Sequence, residues 1–487
     1  MQKFVRAIAA VIVVSGIAGC TSSKEPKAKA EEKPSSTSTT VSLADHRDPT
    51  LCPDKPWMAP GATPAERSEE LVKVLTIEQK VAQLHGDAIE TDFRIVTGIP
   101  ELCVPDLTVT NGPAGIGAST LPLGGPQATA VPSPLSVASS WDPTVSTKFG
   151  NLVADEMNNL GRNLLESPDV DVARTPLAGR TFEAFGEDPL LISRMANAQI
   201  DAVQAKGIIA MVKHYVGNSQ EADRGVVSVD ADERTMRQLY LAPFESAVRD
   251  ADVASVMCAY NKVDGTYSCE SKELITDILR DDWGFEGFVQ SDFGATHSTV
   301  ESAEAGMDLE MPADTWFGQK MTAALEAGEV SVDLIDQMLV RRFTQMFKFG
   351  LFDRKPTPSP IPVEKHGQIA REIGEAGTVL LRNEGGLLPL SDTDVKSIAV
   401  VGPASATAAV GGGGSSKVTP LREISPIDGI RERVGTDIEM VTDSSSDPAA
   451  AASVAKSADV AVVVVGAAES EGADRANLSL GAESDAL

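Results

Sequence analysis

The chain has 487 residues, enough for two to four domains, and its apolar fraction of 42% suits large globular cores built with few aromatics. Its 42 Lys and Arg face 70 Asp and Glu, a net charge of −28 that argues against the clustered cationic surface nucleic acid requires. A neutral sugar or a peptide is compatible with such a surface, and charge alone selects neither.

At the start of the chain, Lys3 and Arg6 precede an apolar stretch from Ala7 to Ile17 that closes in IAGC at Cys20. A charged-then-apolar segment of this length reads as an export signal, too short to span a membrane as a mature helix. The small residues before Cys20 resemble a bacterial lipobox. That resemblance implies a signal peptide over 1–19, a lipid on the Cys20 sulfur and a protein anchored outside the cytoplasmic membrane; an ordinary signal peptide with an incidental Cys is the alternative. Residues 21–50 are rich in Ser, Thr, Lys, Glu and Pro and cannot bury a core, so 20–55 is assigned as a flexible linker.

Four further cysteines remain, Cys52, Cys103, Cys258 and Cys269. In an exported protein they suggest two disulfides from three possible pairings. The turn residues inside CAYNKVDGTYSC favour Cys258–Cys269, which leaves Cys52–Cys103; buried free thiols are the other reading.

From about 65 to 350, apolar runs alternate with amphipathic stretches such as 191–206, 232–249 and 271–282. Strands alternating with helices over this length predict a parallel sheet, and a (β/α)8-like TIM barrel over 56–352 suits it better than an open sheet. DLTVT ends at Asn111, GIIAMV at Lys213 and His214, ADVASVMC just before Tyr260, and EGFVQS at Asp292. Polar groups past the C-terminal ends of such runs lie on the edge where α/β folds bind ligands. The Pro- and Lys-rich stretch 349–362 marks a linker, assigned as 353–370. A second α/β pattern over 371–487 carries the buried-strand runs SIAVVG and DVAVVVVG. Between them, VGGGGSSKVTP reads as a flexible loop and lacks the Gly-Lys-Ser/Thr order of a phosphate loop.

The five histidines, His46, His85, His214, His297 and His366, include no close pair, so no metal site and no cofactor are expected. Neither a Gly-x-Ser-x-Gly elbow after a strand nor a dinucleotide fingerprint is present. The strand ends offer instead carboxylate, Arg, Lys, His, Asn and Tyr, a set suited to sugar binding and two-carboxylate glycoside hydrolysis.

On VTNGPAGIG, GRTFEAFGEDP, VKHYVGN, DERTMRQLYLAPFE, VMCAYNKVDG, GFVQSDFGA, AGMDLEMP, TVLLRNEGGLLPL and VVVVGAAESEGADR, in that order, the sequence resembles glycoside hydrolase family 3 of the β-glucosidase and β-xylosidase type. The resemblance implies a barrel followed by an α/β sandwich, with an exo-acting retaining β-glycosidase site where they meet. It places the nucleophile at Asp292 and the acid/base at Glu471, with Glu469 as rival. A helix N-cap is the plain alternative for Asp292. Retaining carboxyls stand roughly 5–5.5 Å apart. These two are 471 − 292 = 179 positions apart, so only domain docking can join them. The nearby Asp292 charge is expected to raise the pKa of Glu471. Arg180, Lys213 and His214 match the family's hydroxyl-binding set, although His214 could be a satisfied core histidine. Tyr260 is expected under the nucleophile or simply in the core. Glu221 and Arg224 either brace the site or pair on the surface.

Three departures from the family pattern matter. Asn111 stands where the family's glucosidases usually carry Asp, which brings a pentose such as xylose or arabinofuranose into play. Phe293 replaces the usual Trp after the nucleophile. The chain stops inside the motif ANLSLGAESDAL, so a truncated sandwich with an exposed sheet edge is expected, and with it a second reading as an impaired sugar-binding lipoprotein. The stretch KHYVGNSQEADR lacks the His of the family's β-N-acetylglucosaminidases, so that activity is not expected. An unrelated metal-dependent barrel hydrolase is a third reading, disfavoured by the histidine census. Oligomeric state is left open.

Overall fold

The computed structural model describes residues 52–89, 92–117, 127–391 and 393–487. The expected signal peptide, the tether up to position 51 and the lipidation expected at Cys20 lie outside them.

A six-stranded sheet curls through the first domain. Its strands, in spatial order, are β1 (Ile95–Val96), β2 (Leu107–Asn111), β3 (Leu164–Glu166), β4 (Ile209–Tyr215), β5 (Ser255–Cys258) and β6 (Phe288–Ser291). β2 to β6 are parallel and follow chain order, as the alternating pattern predicts. β1 departs from that expectation: it runs antiparallel to β2, with Ile95 opposite Thr108, because a short connection rather than a crossover helix joins the two. Backbone hydrogen bonds carry the curl on from β6: Ser291 N–H donates to Leu309 O at 2.9 Å, Glu310 N–H to Leu84 O at 2.9 Å and Asp87 N–H to Ile95 O at 2.9 Å.

Helices α1 (Pro64–Val72), α2 (Pro143–Leu160), α3 (Pro189–Gln204), α4 (Ala242–Arg249) and α5 (Val332–Lys348) surround the sheet. α2 and α3 start alike: Asp142 and Asp188 cap free amides and Pro fills the first helical position, where no N–H is needed. All seven residues of β4 are buried. A strand covered by helices on one face and by the sheet interior on the other must be apolar along its length. Only at its end does it turn to Lys213 and His214.

The second half of the expected linker, 353–370, is not extended: from Val363 the chain forms α6 (Val363–Gly377). Buried His366 on this helix bonds Glu156 of α2 at 2.7 Å, which fastens the connection to the first domain. The second domain contains β7 (Ser397–Val401), α7 (Pro426–Val434), β8 (Glu439–Asp443), α8 (Pro448–Ala455) and β9 (Val460–Val463). Its parallel strands lie in the order β8-β7-β9. Small apolar clusters cover both faces of this sheet. Within the described residues β8 and β9 are edge strands, and Leu380 and Leu381 are exposed.

Both expected disulfides, Cys52–Cys103 and Cys258–Cys269, are present, with Cα atoms 6.4 and 5.2 Å apart. The second ties the end of β5 to the segment beyond Tyr260. The domains meet through a short parallel pairing of Thr419–Pro420 with Gln127–Ala128 and through the loop 469–475.

Candidate active site

At the C-terminal ends of β2 to β6 lies a cavity of about 480 Å³, lined by Asn111, Lys213, His214, Asp292 and Phe293 and, from the second domain, by Glu471. Every strand end singled out in the sequence therefore reaches the same space.

Asp292 follows directly on β6 and is 8% exposed. It is not a helix cap. Its Oδ1 accepts the Phe293 N–H at 2.7 Å, while its Oδ2 is buried without a hydrogen-bond partner, 3.7 Å from His214 Nε2. Burial raises its pKa, and the positive charges of Arg180 and Lys213 act against that rise. A buried carboxylate oxygen left bare at a strand end costs stability unless it has a reacting partner.

Arg180 forms a two-pronged pair with Glu183, at 3.0 and 2.9 Å, and donates from Nη1 to His214 Nε2 at 3.0 Å. That donation fixes Nε2 as an acceptor, so the His214 proton sits on Nδ1, facing Asp171 Oδ2 at 2.8 Å. Burial and the neighbouring charges of Arg180 and Lys213 push the His214 pKa well down, so the ring is neutral. Burial pushes both acids behind it up, Asp169 to about 6. Asp169, Asp171 and His214 bring ligand-type atoms within 4.8 Å of one another, a grouping that histidine spacing did not anticipate. Arg180 and Lys213 beside it disfavour a cation. Lys213 Nζ donates to Asn111 Oδ1, whereas Asn111 Nδ2 is buried and unpartnered.

Tyr260 donates its hydroxyl to Phe293 O at 3.0 Å, and burial with the nearby Asp292 charge raises its pKa. Phe293 meets Phe93 edge-on at 5.5 Å, and the Arg94 guanidinium lies 4.3 Å above the Phe293 ring. The smaller aromatic at 293 is thus backed by a second ring and a stacked cation.

The second domain delivers Glu471 on a loop fastened to the first. Asp474 accepts backbone N–H groups from Gly179, Glu221 and Ala222 at 3.0, 2.8 and 2.9 Å. Glu221 Oε2 accepts from Gly472 N at 2.8 Å and from Arg224 at 2.7 Å. Arg224 reaches on to Glu471 Oε1 at 2.9 Å, so Glu221 and Arg224 brace this loop and do not form a mere surface pair. The Gly-rich loop is ordered, contrary to its composition. Gly413 N–H donates to Glu469 O at 3.0 Å and Glu471 N–H to Gly413 O at 3.1 Å, while Ser415 N–H donates to Glu471 Oε2 at 2.7 Å.

The expected rise in the Glu471 pKa is not what the surroundings produce. Burial does push it up, but Arg180, the Ser415 N–H and Arg224 outweigh burial and hold the carboxyl below its usual range. Glu469 lies elsewhere. It is 3.6 Å from Arg475 and lines a separate cavity with Phe182 and Gly412.

Sequence reasoning missed Arg94, Glu166, Asp169, Asp171, Glu183 and Ser415. Glu166 ends β3 much as Asp292 follows β6, but only Leu164 and Leu165 precede it in the strand, a run too short to mark it.

A curled parallel sheet whose strand ends meet a carboxylate loop from a second α/β domain defines a two-domain α/β protein with its site at the domain junction. Residues 122–345 match the glycosyl hydrolase family 3 N-terminal domain and 378–487 its C-terminal domain, and the chain belongs to that family. It is similar to a beta-glucosidase of Rhizobium radiobacter, 37% identical over 74% of this chain and 44% of that one. It is also similar to the thermostable beta-glucosidase B of Acetivibrio thermocellus, 32% identical over 85% of this chain and 56% of that one. Among solved structures, DesR, a beta-glucosidase from Streptomyces venezuelae in complex with D-glucose, superposes with a TM-score of 0.73 at 34% identity, covering 77% of this chain and 50% of that one. Beta-glucosidase 3B from Thermotoga neapolitana gives 0.76 at 30%, covering 85% and 64%. The chain spans about half the length of the curated relatives it matches.

Proposed function

We propose that the protein is an exo-acting retaining β-glycosidase, built on a (β/α)8-like barrel with one antiparallel strand and a companion α/β domain. Asp292 attacks the anomeric carbon and Glu471 serves the leaving oxygen. The observation that carries this reading is the bare, buried Oδ2 of Asp292 in one cavity with Glu471 of the other domain.

In the first step Asp292 Oδ2 forms a bond to the anomeric carbon as the bond to the leaving oxygen breaks, and a proton from Glu471 goes to that oxygen. In the second, Glu471 takes a proton from water, whose oxygen displaces Asp292. The surroundings favour the ionised form of Glu471 in the free protein, so the acid step requires that it first take up a proton. Arg180, Lys213 and His214 hold the sugar hydroxyls in fixed directions, and charged donors make those bonds strong. The β-glucosidase relatives support glucose as the terminal sugar, while Asn111 keeps xylose or arabinofuranose in the test panel. Export with a lipid on Cys20 belongs to the same reading, and the two disulfides support an oxidising compartment.

The test is turnover of aryl β-glucoside, β-xyloside and α-arabinofuranoside by wild type and Asp292→Asn. Wild-type turnover with a loss of at least ~10³-fold in the variant is expected for a missing nucleophile. Equal rates for the two proteins would remove Asp292 from the role.

A further inference from the structure

The site contains a charged pair that neither the nucleophile nor the acid/base requires. Arg94 and Glu166 are both buried in the wall of the cavity, with Arg94 Nη1 2.5 Å from Glu166 Oε2. Glu166 Oε1 also accepts from Gln290 Nε2 at 2.9 Å. A carboxylate has about four acceptor positions, so Glu166 keeps two free. Arg94 is held flat by its stack on Phe293, which leaves its N–H edge to make in-plane bonds.

Stability does not explain the pair, because a buried ion pair is commonly no better than an apolar replacement of the same volume. Its place in the sheet does suggest a use. Glu166 on β3 is the register partner of Asn111 on β2, and the two side chains line the same cavity. Asn111 spends its oxygen on Lys213 and is left with a buried, unpartnered Nδ2. Amide donor, carboxylate acceptor and guanidinium donor thus stand side by side in the cavity wall.

We propose that Arg94 and Glu166, with Asn111 Nδ2, form a specificity-determining group that reads two adjacent hydroxyls of a neutral pyranose, at O3 and O4, away from the anomeric carbon. A hydroxyl there donates to Glu166 and accepts from Arg94 or Asn111. A ring bearing a carboxylate at that place would face Glu166 with like charge and is excluded. The inference rests on the glycosidase reading above.

The test is a functional-group cycle. Wild type, Glu166→Gln and Arg94→Lys are assayed on the aryl β-pyranoside of the best-turned-over sugar and on its 2-, 3- and 4-deoxy forms. On the parent and the 2-deoxy glycoside, kcat/KM should fall about 10- to 100-fold in each variant, as for a lost hydrogen bond to a charged group. On the 3- or 4-deoxy glycoside the same substitutions should cost under about threefold, because the bond is already gone. Equal penalties across the deoxy series, or no penalty on the parent, overturn the proposal. If Glu166→Gln fails to fold by thermal melting, Arg94→Lys, which keeps the charge, decides alone. If wild type turns over no glycoside, the glycosidase reading falls by itself. The pair is then judged by calorimetric binding of the parent sugar and its deoxy forms under the same criterion, and the absence of any sugar binding overturns it.

Discussion

Arg224 Nη2 lies 2.9 Å from Glu471 Oε1 and ties the proposed acid/base to a cation from the other domain. Burial opposes ionisation of Glu471, but Arg180, the Ser415 N–H and Arg224 prevail and lower its pKa. A general acid must be protonated to act, so activity falls as pH rises through its pKa. Replacing Arg224 by Gln removes one of the influences that lower it. The alkaline limb of the kcat/KM profile should therefore move up by about one pH unit, the low end for loss of an adjacent opposite charge. A pH–rate series on an aryl glycoside measures this. An unmoved limb would mean that Arg224 does not control the acid.

Gly414 supports the same carboxyl by having no side chain. Its φ is +97°, and a Cβ there would lie 2.3 Å from the Glu471 Cβ and 2.7 Å from Oε2. Gly414→Ala should displace the proposed acid/base and lower kcat about 100-fold, the scale of a misplacement of about 1 Å. Gly472, with φ +87° and no atom within 4 Å of where a Cβ would stand, is the control. Gly472→Ala carries similar backbone strain without the collision, so it should cost about 1 kcal/mol of stability and little kcat. Similar kcat losses in both variants would reduce the Gly414 effect to strain.

Asp474 docks the loop by accepting three backbone N–H groups from the first domain. Burial raises its pKa, yet the amides of Ala222, Glu221 and Gly179 lower it further than burial raises it. A carboxyl with a depressed folded pKa contributes stability above its unfolded pKa and loses that contribution as pH falls through the folded value. Docking should therefore loosen in acid. Asp474→Asn should show the loosened state at neutral pH, with faster proteolysis within 469–475 and kcat/KM down about 10-fold, since hydrogen bonds to a charged acceptor are the stronger kind. Unchanged cleavage would show that the other contacts suffice.

The strand-end groups were legible because an apolar run that stops at a polar residue marks both the strand and its ligand-facing end. Asn111, Lys213, Asp292 and the run ahead of Tyr260 were all found this way. β3 escaped because only three of its residues are in the strand, so Glu166 stood after a run too short to stand out. The antiparallel β1, two residues long, has no periodicity to read. Gly-rich composition reports backbone freedom but not the bonds that remove it, and the partners of Gly413 and Ser415 lie in the distant loop 469–471. The Glu471 pKa was misjudged for the same reason. The cations that lower it, Arg180 and Arg224, are 471 − 180 = 291 and 471 − 224 = 247 positions away, and only docking brings them to the carboxyl.

Behind His214, proposed to hold a sugar hydroxyl, Asp171 makes the least intuitive prediction. Its Oδ2 accepts the His214 Nδ1 proton at 2.8 Å and the His214 backbone N–H at 3.2 Å. Burial and the neighbouring Asp169 raise its pKa well above the usual carboxylate range, which favours the neutral acid with the proton on its second oxygen. An asparagine reproduces that state: its carbonyl takes the place of Oδ2 and its amide N–H that of the carboxylic O–H. Asp171→Asn should therefore keep kcat/KM within about fivefold of wild type. Asp171→Ala leaves the Nδ1–H buried without an acceptor and should lose about 10- to 100-fold, the cost of an unsatisfied buried donor. If Asp171 were ionised, the asparagine would lose the charge that orients the imidazole and fall as far as the alanine. Kinetics of the two variants side by side, with thermal melting to verify folding, decide between these cases.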